Sequence, residues 1–359
     1  MVEYQKYQIC FTLVLLFIPY VFFKCSLICL TIYVTLKFIQ KLWKRFSDKR
    51  INPVNRGVFI TGCDSGFGFA FAKRLHELEF SVLAGCLNTE SDGAKKLLEL
   101  RSDRLHVIKV DVADDVSVEE AFLQVQAHLP DEGLWAIINN AGINSFGDIE
   151  LTPVSLYEKL LNVNLFGPLR IIRQFLQLIR KSKGRVINIT SVHGRMALPE
   201  QSNYEVAKHG IETMTDSLRL EMQKFDVKVC IIEPGKFGRC TSIQNKSVIQ
   251  RQTKEIEDMW NASSPQMRET YSKQYLLSWL PTSNETWPPN DGDISNILQA
   301  VEDAVCSSMP QSRYLIDGYG KHVSFIDEYG LLARIHNILP TWMTDICAGL
   351  VKDCYKKVK

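Results

Sequence analysis

Apolar and polar positions fall into two regimes along the chain. Ile9 to Ile39 is almost continuously apolar, broken only by Pro19, Lys24 and a few small polar residues. From Arg56 onward, short β-branched runs alternate with longer amphipathic segments, which predicts a parallel sheet with crossover helices. The expected strands are Gly57–Thr61, Ser81–Cys86, His106–Val110, Leu134–Ile138, Gly184–Ile189 and Val227–Ile232, with a last one over Arg313–Asp317. The expected helices are Gly66–Leu78, Glu90–Leu100, Val116–His128, Pro153–Ile179 and Ser202–Lys224. Trp135–Ile138 and Val229–Ile232 are apolar at nearly every position, as strands buried on both faces must be. The fold class is therefore α/β.

Two stretches break the alternation. Arg239–Asp291 is polar, rich in aromatics and carries Pro265, Pro281, Pro288 and Pro289. It is too long for a plain connection and reads as a substrate loop or lid over 239–291. The tail Leu331–Val351 is amphipathic and either packs on the domain or touches a membrane. Residues 1–50 then form an anchor with a basic flank, 51–320 the α/β domain and 321–359 the tail.

The run Ile9–Ile39 exceeds the roughly 20 residues a spanning helix needs. Lys24 either snorkels from one helix or marks the bend of a re-entrant hairpin. The leading residues lack the positive charge of a signal peptide, and the segment lacks the Arg- and Ser-rich character of a transit peptide. A transmembrane anchor is the better reading. Lys37, Lys41, Lys44, Arg45, Lys49 and Arg50 follow it, so the positive-inside bias places the domain in the cytosol. Sequons at Asn245, Asn261 and Asn284 become usable only if it is luminal.

Composition narrows the chemistry. A net charge of +2 gives no reason to expect a nucleic-acid partner. Ten cysteines lie scattered without C-x-x-C pairs, so neither a zinc site nor a disulfide framework is expected.

The first strand runs into Thr61, Gly62, Cys63, Asp64, Ser65, Gly66, Phe67 and Gly68, which open a helix. Such a turn lets backbone approach a pyrophosphate, and the helix N-terminus adds free N–H groups and a positive dipole end. Asp111 and Val112 follow the third strand, where a carboxylate accepts from an adenine amino group or simply caps the next helix. Asn139, Asn140, Ala141 and Gly142 close the fourth strand.

Tyr204 and Lys208 stand four apart in a helical stretch and so project from one face. A phenol is a poor base near neutrality, and a neighbouring ammonium lowers its pKa toward a useful range. Ser191 ends the fifth strand, where it can donate to a developing alkoxide. Asn164, in the preceding helix, can hold a water that relays the proton.

Together Thr61–Gly68, Asn139–Gly142, Ser191, Tyr204-x-x-x-Lys208 and Pro234-Gly235 resemble the short-chain dehydrogenase/reductase family over roughly Arg56 to Asp317. The resemblance implies a single Rossmann-type doubly wound parallel sheet, behind the N-terminal transmembrane segment. Leu83–Leu87, Gly184–Val186 and Arg313-Tyr314 are similar to the branch holding hydroxysteroid, retinol and D-beta-hydroxybutyrate dehydrogenases. By resemblance, Tyr204 is the acid/base, Lys208 lowers its pKa and binds the nicotinamide ribose, Ser191 orients the carbonyl and Asn164 completes the relay. Thr61, Gly62, Ser65, Gly66, Phe67, Gly68, Asp111, Val112, Asn139, Ala141, Gly142, Pro234 and Gly235 would then hold the cofactor with Tyr204 and Lys208. Arg239 stands where the family often has a threonine, so no contact is assigned there.

The second strand offers neither an acidic residue for the adenosine ribose nor, at Gly85, Cys86 or Leu87, a cation for a 2′-phosphate. The branch that the chain resembles often uses NAD with this neutral pattern, so the resemblance favours NAD over NADP. The leading reading is an oxidoreductase for a hydrophobic secondary alcohol or ketone, a steroid or retinoid, anchored in the endoplasmic reticulum membrane and facing the cytosol. The aromatics Trp260, Tyr271, Tyr275 and Trp279 either point the same way or simply pack. A second reading takes 3-hydroxybutyrate as substrate, with Lys236, Arg239 or Arg195 meeting its carboxylate. A third makes the chain a catalytically silent scaffold. The family further implies a homo-oligomer.

Overall fold

In the computed structural model the described residues are 48–235, 237, 246–280, 293–318 and 328–336, with parts of 21–42 and of 338–346. Two compact units divide the chain: Met1–Ile51 with Ser307–Met309, and Asn52–Cys306 with Pro310–Lys359. In the first, the described positions between 21 and 42 are helical with exposed side chains. Among the described residues no helix is long and apolar enough to cross a membrane. Much of Ile9–Ile39 lies outside the described residues.

The second unit is built on seven parallel strands: β1 Gly57–Thr61, β2 Ser81–Cys86, β3 Leu105–Lys109, β4 Leu134–Asn139, β5 Arg185–Ile189, β6 Lys228–Pro234 and β7 Arg313–Ile316. Their order is β3-β2-β1-β4-β5-β6-β7. Every residue of β1, β4 and β5 is buried, which is why their apolar runs have no alternation. Arg185 of β5 is the exception in chemistry. Its guanidinium lies 4.2 Å from the Trp135 ring centre and donates to the Ala304 carbonyl at 2.9 Å.

The crossover helices are α1 Gly66–Glu77, α2 Asp92–Leu98, α3 Asp115–Ala127, α4 Val154–Leu161, α5 Gly167–Ser182 and α6 Ser202–Met222. One core joins the sheet to α3, α5 and α6, with Phe59 stacked on Phe175 at 4.8 Å. The helix expected over Pro153–Ile179 is interrupted by a π-turn, Asn162–Phe166. Pro168 has no N–H to offer the carbonyl four residues back, that of Asn164, so the α ladder cannot run through this point.

Much of the expected lid is helical. Within 239–291 lie α7 Lys246–Ala262, α8 Pro265–Thr270 and α9 Lys273–Leu277, and the remaining positions lie outside the described residues. Gln252, Ile256 and Met259 recur at helical spacing on the buried face of α7. Trp260, Tyr271, Tyr275 and Trp279 pack with Leu156, Leu160 and Ile256, which makes these aromatics core residues of the lid rather than cavity wall. Two further helices follow, α10 Ser295–Cys306 and α11 Glu328–Ile335. The tail packs on this unit where it is described: Leu332 and Ala333 of α11 meet Val192, Met196 and Leu198.

Sequential strands run outward from β1 to β3, and the chain then returns to place β4 on the other side of β1. At such a reversal the loops leave the carboxyl ends of β1 and β4 in opposite directions and open a crevice.

Candidate active site

A cavity of about 410 Å³ fills that crevice. Gly62, Ser65, Gly66 and Phe67 line it at one end, Ser191, Tyr204 and Lys208 at the other. Asp111, Val112, Ala141, Gly142, Pro234 and Gly235 also lie on its wall. Thirteen of the residues expected from the sequence therefore share one cavity, and four do not line it: Thr61, Gly68, Asn139 and Asn164.

Those four hold the walls. Thr61 Oγ1 accepts from the backbone N–H groups of Asn140 and Ala141, both at 3.1 Å. A Cβ on Gly68 would come within 2.1 Å of the Gly62 carbonyl, so only glycine lets α1 approach β1 this closely. Asn139 is buried in the sheet and donates to Asn188 Oδ1 at 2.8 Å, so its side chain serves the fold. The amide on the cavity is Asn140, whose Nδ2 donates to the carbonyl of Thr61 at 3.0 Å. Asn164 is likewise buried and spends its amide on Ile143: Oδ1 accepts from Ile143 N at 2.8 Å and Nδ2 donates to Ile143 O at 2.7 Å. Its side chain thus anchors the loop at Ile143.

The turn after β1 is built for backbone approach. Gly62 and Gly66 have φ of +75° and +57°, a region where a side chain is strained. Ser65 caps α1 without spending its hydroxyl on the helix, and no acidic residue occupies the first turn. The N-terminal N–H groups and dipole are left for an anion.

Asp64 lines the same end, and the sequence reading gave it no role. Its two carboxylate oxygens accept from Asn88 N at 2.8 Å and Leu87 N at 3.0 Å, tying the turn after β1 to the end of β2. Asp111 has its Oδ1 engaged by Ala113 N at 2.9 Å, and the cap of α3 is Asp114.

At the other end, Lys208 is buried, donates to the Ile189 carbonyl at 3.2 Å and lies 5.5 Å from the centre of the Tyr204 ring. Burial pulls its ammonium down to about 8, against the pull of Glu212 in the other direction. Burial pushes the Tyr204 phenol up to about 12, and its hydrogen bond with Ser191 opposes this. Desolvation of the ring outweighs the Ser191 hydrogen bond in the protein alone. His193 lies edge-on to the Tyr204 ring at 5.9 Å and bonds Glu205 at 2.9 Å.

A family model for short chain dehydrogenases matches residues 56–252 of the 359. The chain is a short-chain dehydrogenase. Its relatives include D-beta-hydroxybutyrate dehydrogenase, mitochondrial, of Rattus norvegicus, 40% identical over 72% of this chain and 76% of that one. Retinol dehydrogenase 16 of Mus musculus is 38% identical over 76% of this chain and 86% of the relative. Estradiol 17-beta-dehydrogenase 2 of Mus musculus is 35% identical over 80% and 75%. The fold matches a crystal structure of a short chain dehydrogenase/reductase from Burkholderia phymatum in complex with NAD, at a TM-score of 0.58 and 19% identity, over 71% of this chain and 87% of that one.

This short-chain dehydrogenase is an oxidoreductase that acts on CH–OH groups, interconverting alcohol and carbonyl. Of the cations considered for an acidic substrate, Lys236 and Arg239 lie outside the described residues. Arg195 is held by Glu233, with Nη2 at 2.8 Å from Oε2, and is committed there. The arginine that does line the cavity is Arg251 of α7, which donates to Glu255 at 2.8 Å and to the Asn144 carbonyl at 2.7 Å. Only helical spacing in a segment taken for a loop could have revealed it.

Proposed function

We propose that this short-chain dehydrogenase uses NAD to interconvert a hydrophobic secondary alcohol, of the steroid or retinoid class, and its ketone or aldehyde. The observation that carries this is the apolar share of the cavity lining, Ile143, Val163, Ile189 and Val248, with Ile143 in the same apolar cluster as Tyr204. NAD suits the other end: the glycine cradle admits a pyrophosphate, and the Asp64 carboxylate repels a 2′-phosphate. Held between the glycine turn and Lys208, NAD would supply the hydride exchange with the carbinol carbon.

The chain's own residues manage the proton. Tyr204 exchanges it with the substrate oxygen, and Ser191 donates to that oxygen as charge develops. The Lys208 ammonium stabilises the phenolate, and Asn164 fixes the loop at Ile143 against which the substrate rests. The apolar run Ile9–Ile39 and its basic flank support an anchor in the endoplasmic reticulum membrane, with the domain in the cytosol and a lipid-soluble substrate delivered from the bilayer. A homo-oligomer is the expected assembly.

Arg251 favours a second reading, a small 3-hydroxy acid. Arg251 lines the cavity and shares the single carboxylate of Glu255 with Lys159, so a guanidinium stands on this wall.

The test is NADH formation by detergent-solubilised protein offered estradiol, retinol and 3-hydroxybutyrate, with Tyr204→Phe alongside. Turnover of estradiol or retinol, lost in Tyr204→Phe, is the expected result. Turnover of 3-hydroxybutyrate alone would replace it with the second reading.

A further inference from the structure

Behind Lys208 stands a charged cluster for which the proton chemistry above has no use. Glu212 follows Lys208 by one turn of α6 and is buried. Its Oε2 accepts from Arg313 of β7, whereas Oε1 is buried without a hydrogen-bond partner among the described residues. A Cβ at Gly194 would lie 2.8 Å from Glu212 Cγ, 3.1 Å from Oε1 and 3.1 Å from the Lys208 carbonyl. The carboxylate therefore sits between the helical turn carrying Lys208 and the turn that follows Ser191.

The groups around it come from every neighbouring element. Glu233, fully buried on β6, accepts from Arg313 at 2.9 Å and from Arg195 at 2.8 Å. Asp216, one turn further along α6, takes the other terminal nitrogen of Arg313 and pairs with Arg219. Thr190 adds a hydroxyl beside Glu212. Three carboxylates thus meet Arg313, Arg195 and Arg219, and Lys208 is the surplus cation. Burial and the neighbouring Glu233 hold the Glu212 carboxyl above the usual carboxylate range.

We propose that Glu212 is a positioning residue that sets the charge of Lys208: its ionised form keeps Lys208 an ammonium, and so fixes the upper pH limit of cofactor binding and turnover. This rests on the Tyr204–Lys208 reading of the site. Lys208 lines the cavity, so loss of its charge is felt by a bound dinucleotide as well as by the phenol.

The experiment measures NADH affinity by fluorescence, and kcat/KM with estradiol, retinol and 3-hydroxybutyrate, across pH for wild type, Glu212→Gln and Glu212→Asp. Thermal denaturation confirms that each variant is folded. Glu212→Gln should move the basic limb of both profiles down by about one pH unit or more, and Glu212→Asp should restore part of the shift. Asp216→Asn, at the half-exposed edge of the cluster, removes a carboxylate one turn farther from Lys208 and should move the limb down by less than Glu212→Gln does. A folded Glu212→Gln whose limbs superpose on wild type overturns the proposal. If that variant does not fold, Glu212→Asp and Asp216→Asn limbs that both superpose on wild type or move upward overturn it equally. Retained turnover in Tyr204→Phe would instead sink the underlying site reading, whatever the limbs do.

Discussion

Asn164 grips both polar atoms of one residue's backbone, accepting from Ile143 N at 2.8 Å and donating to Ile143 O at 2.7 Å. Only an amide can make that pair of bonds. The π-turn forced by Pro168 is where this amide sits, and the clamped loop forms the wall next to Tyr204.

Asn164→Asp should accordingly be as damaging as Asn164→Ala, although it is nearly isosteric, because a carboxylate cannot donate to the Ile143 carbonyl. Each is expected to cost roughly 1–3 kcal/mol of stability, since a buried backbone group loses its partner. Turnover should fall roughly 10- to 100-fold as the loop drifts from the reacting position. Calorimetry and steady-state kinetics on both variants check this, and an Asp variant that behaves as wild type would remove the clamp argument.

Asp64 makes a second prediction. Its carboxylate holds Leu87 N and Asn88 N at the cavity end proposed for the adenosine ribose. Asp64→Ala should weaken NADH binding and narrow the preference for NADH over NADPH by about tenfold, or about 1.4 kcal/mol. Parallel fluorescence titrations with the two dinucleotides give the ratio, and an unchanged ratio would show that the carboxylate does not read the 2′ position.

Arg251 separates the two substrate readings. Arg251→Met should leave KM for estradiol or retinol within about threefold, since no charge is being recognised. For 3-hydroxybutyrate the same change should raise KM at least about tenfold, the loss of a charged hydrogen bond of roughly 1.5–3 kcal/mol. Loss of activity toward all three substrates would mean that Arg251 acts only by tying α7 to Asn144.

The buried Glu212 also predicts how stability depends on pH. Its carboxyl is held above the usual range by burial and by Glu233, so the folded protein keeps a proton that the unfolded chain has already released. Its contribution is therefore greatest below the ordinary carboxylate pKa and declines as pH rises toward neutrality. Asp216 runs the other way: hydrogen bonds from Arg313 and Arg219 outweigh its desolvation and hold it low, so its contribution is lost as pH falls. Melting temperatures measured between about pH 5 and about pH 8 should fall less steeply with rising pH in Glu212→Gln than in wild type. A steeper fall in the variant would reverse the assigned direction.

Local patterns marked most of the fold. β1 and β2 fall where their apolar runs begin and end, because strands buried on both faces leave no polar position to blur the edge. The aromatic-rich stretch 239–291 was harder, since Pro265 and several polar residues mask the helical spacing of α7 behind a loop-like composition. Its aromatics suit a substrate wall or simple packing by composition, and the structure packs them together, because α7 to α9 need an apolar core of their own.

What the sequence determined by itself was the chemistry at fixed short spacing: the glycine turn, the strand-end Ser191, and Tyr204 one helical turn before Lys208. Each depends on backbone period alone, which local residues set. Only the tertiary structure decided which side chains face the cavity. Asn139 and Asn140 are neighbours, yet the first bonds Asn188 across the sheet and the second holds the carbonyl of Thr61. It also decided which partners the charges meet: Arg195 pairs with Glu233, Arg251 with Glu255 on the cavity wall, and Glu212 with Arg313, 101 residues away. Pairings of that kind are made by the order of strands in the sheet, and no pattern within a single segment carries them.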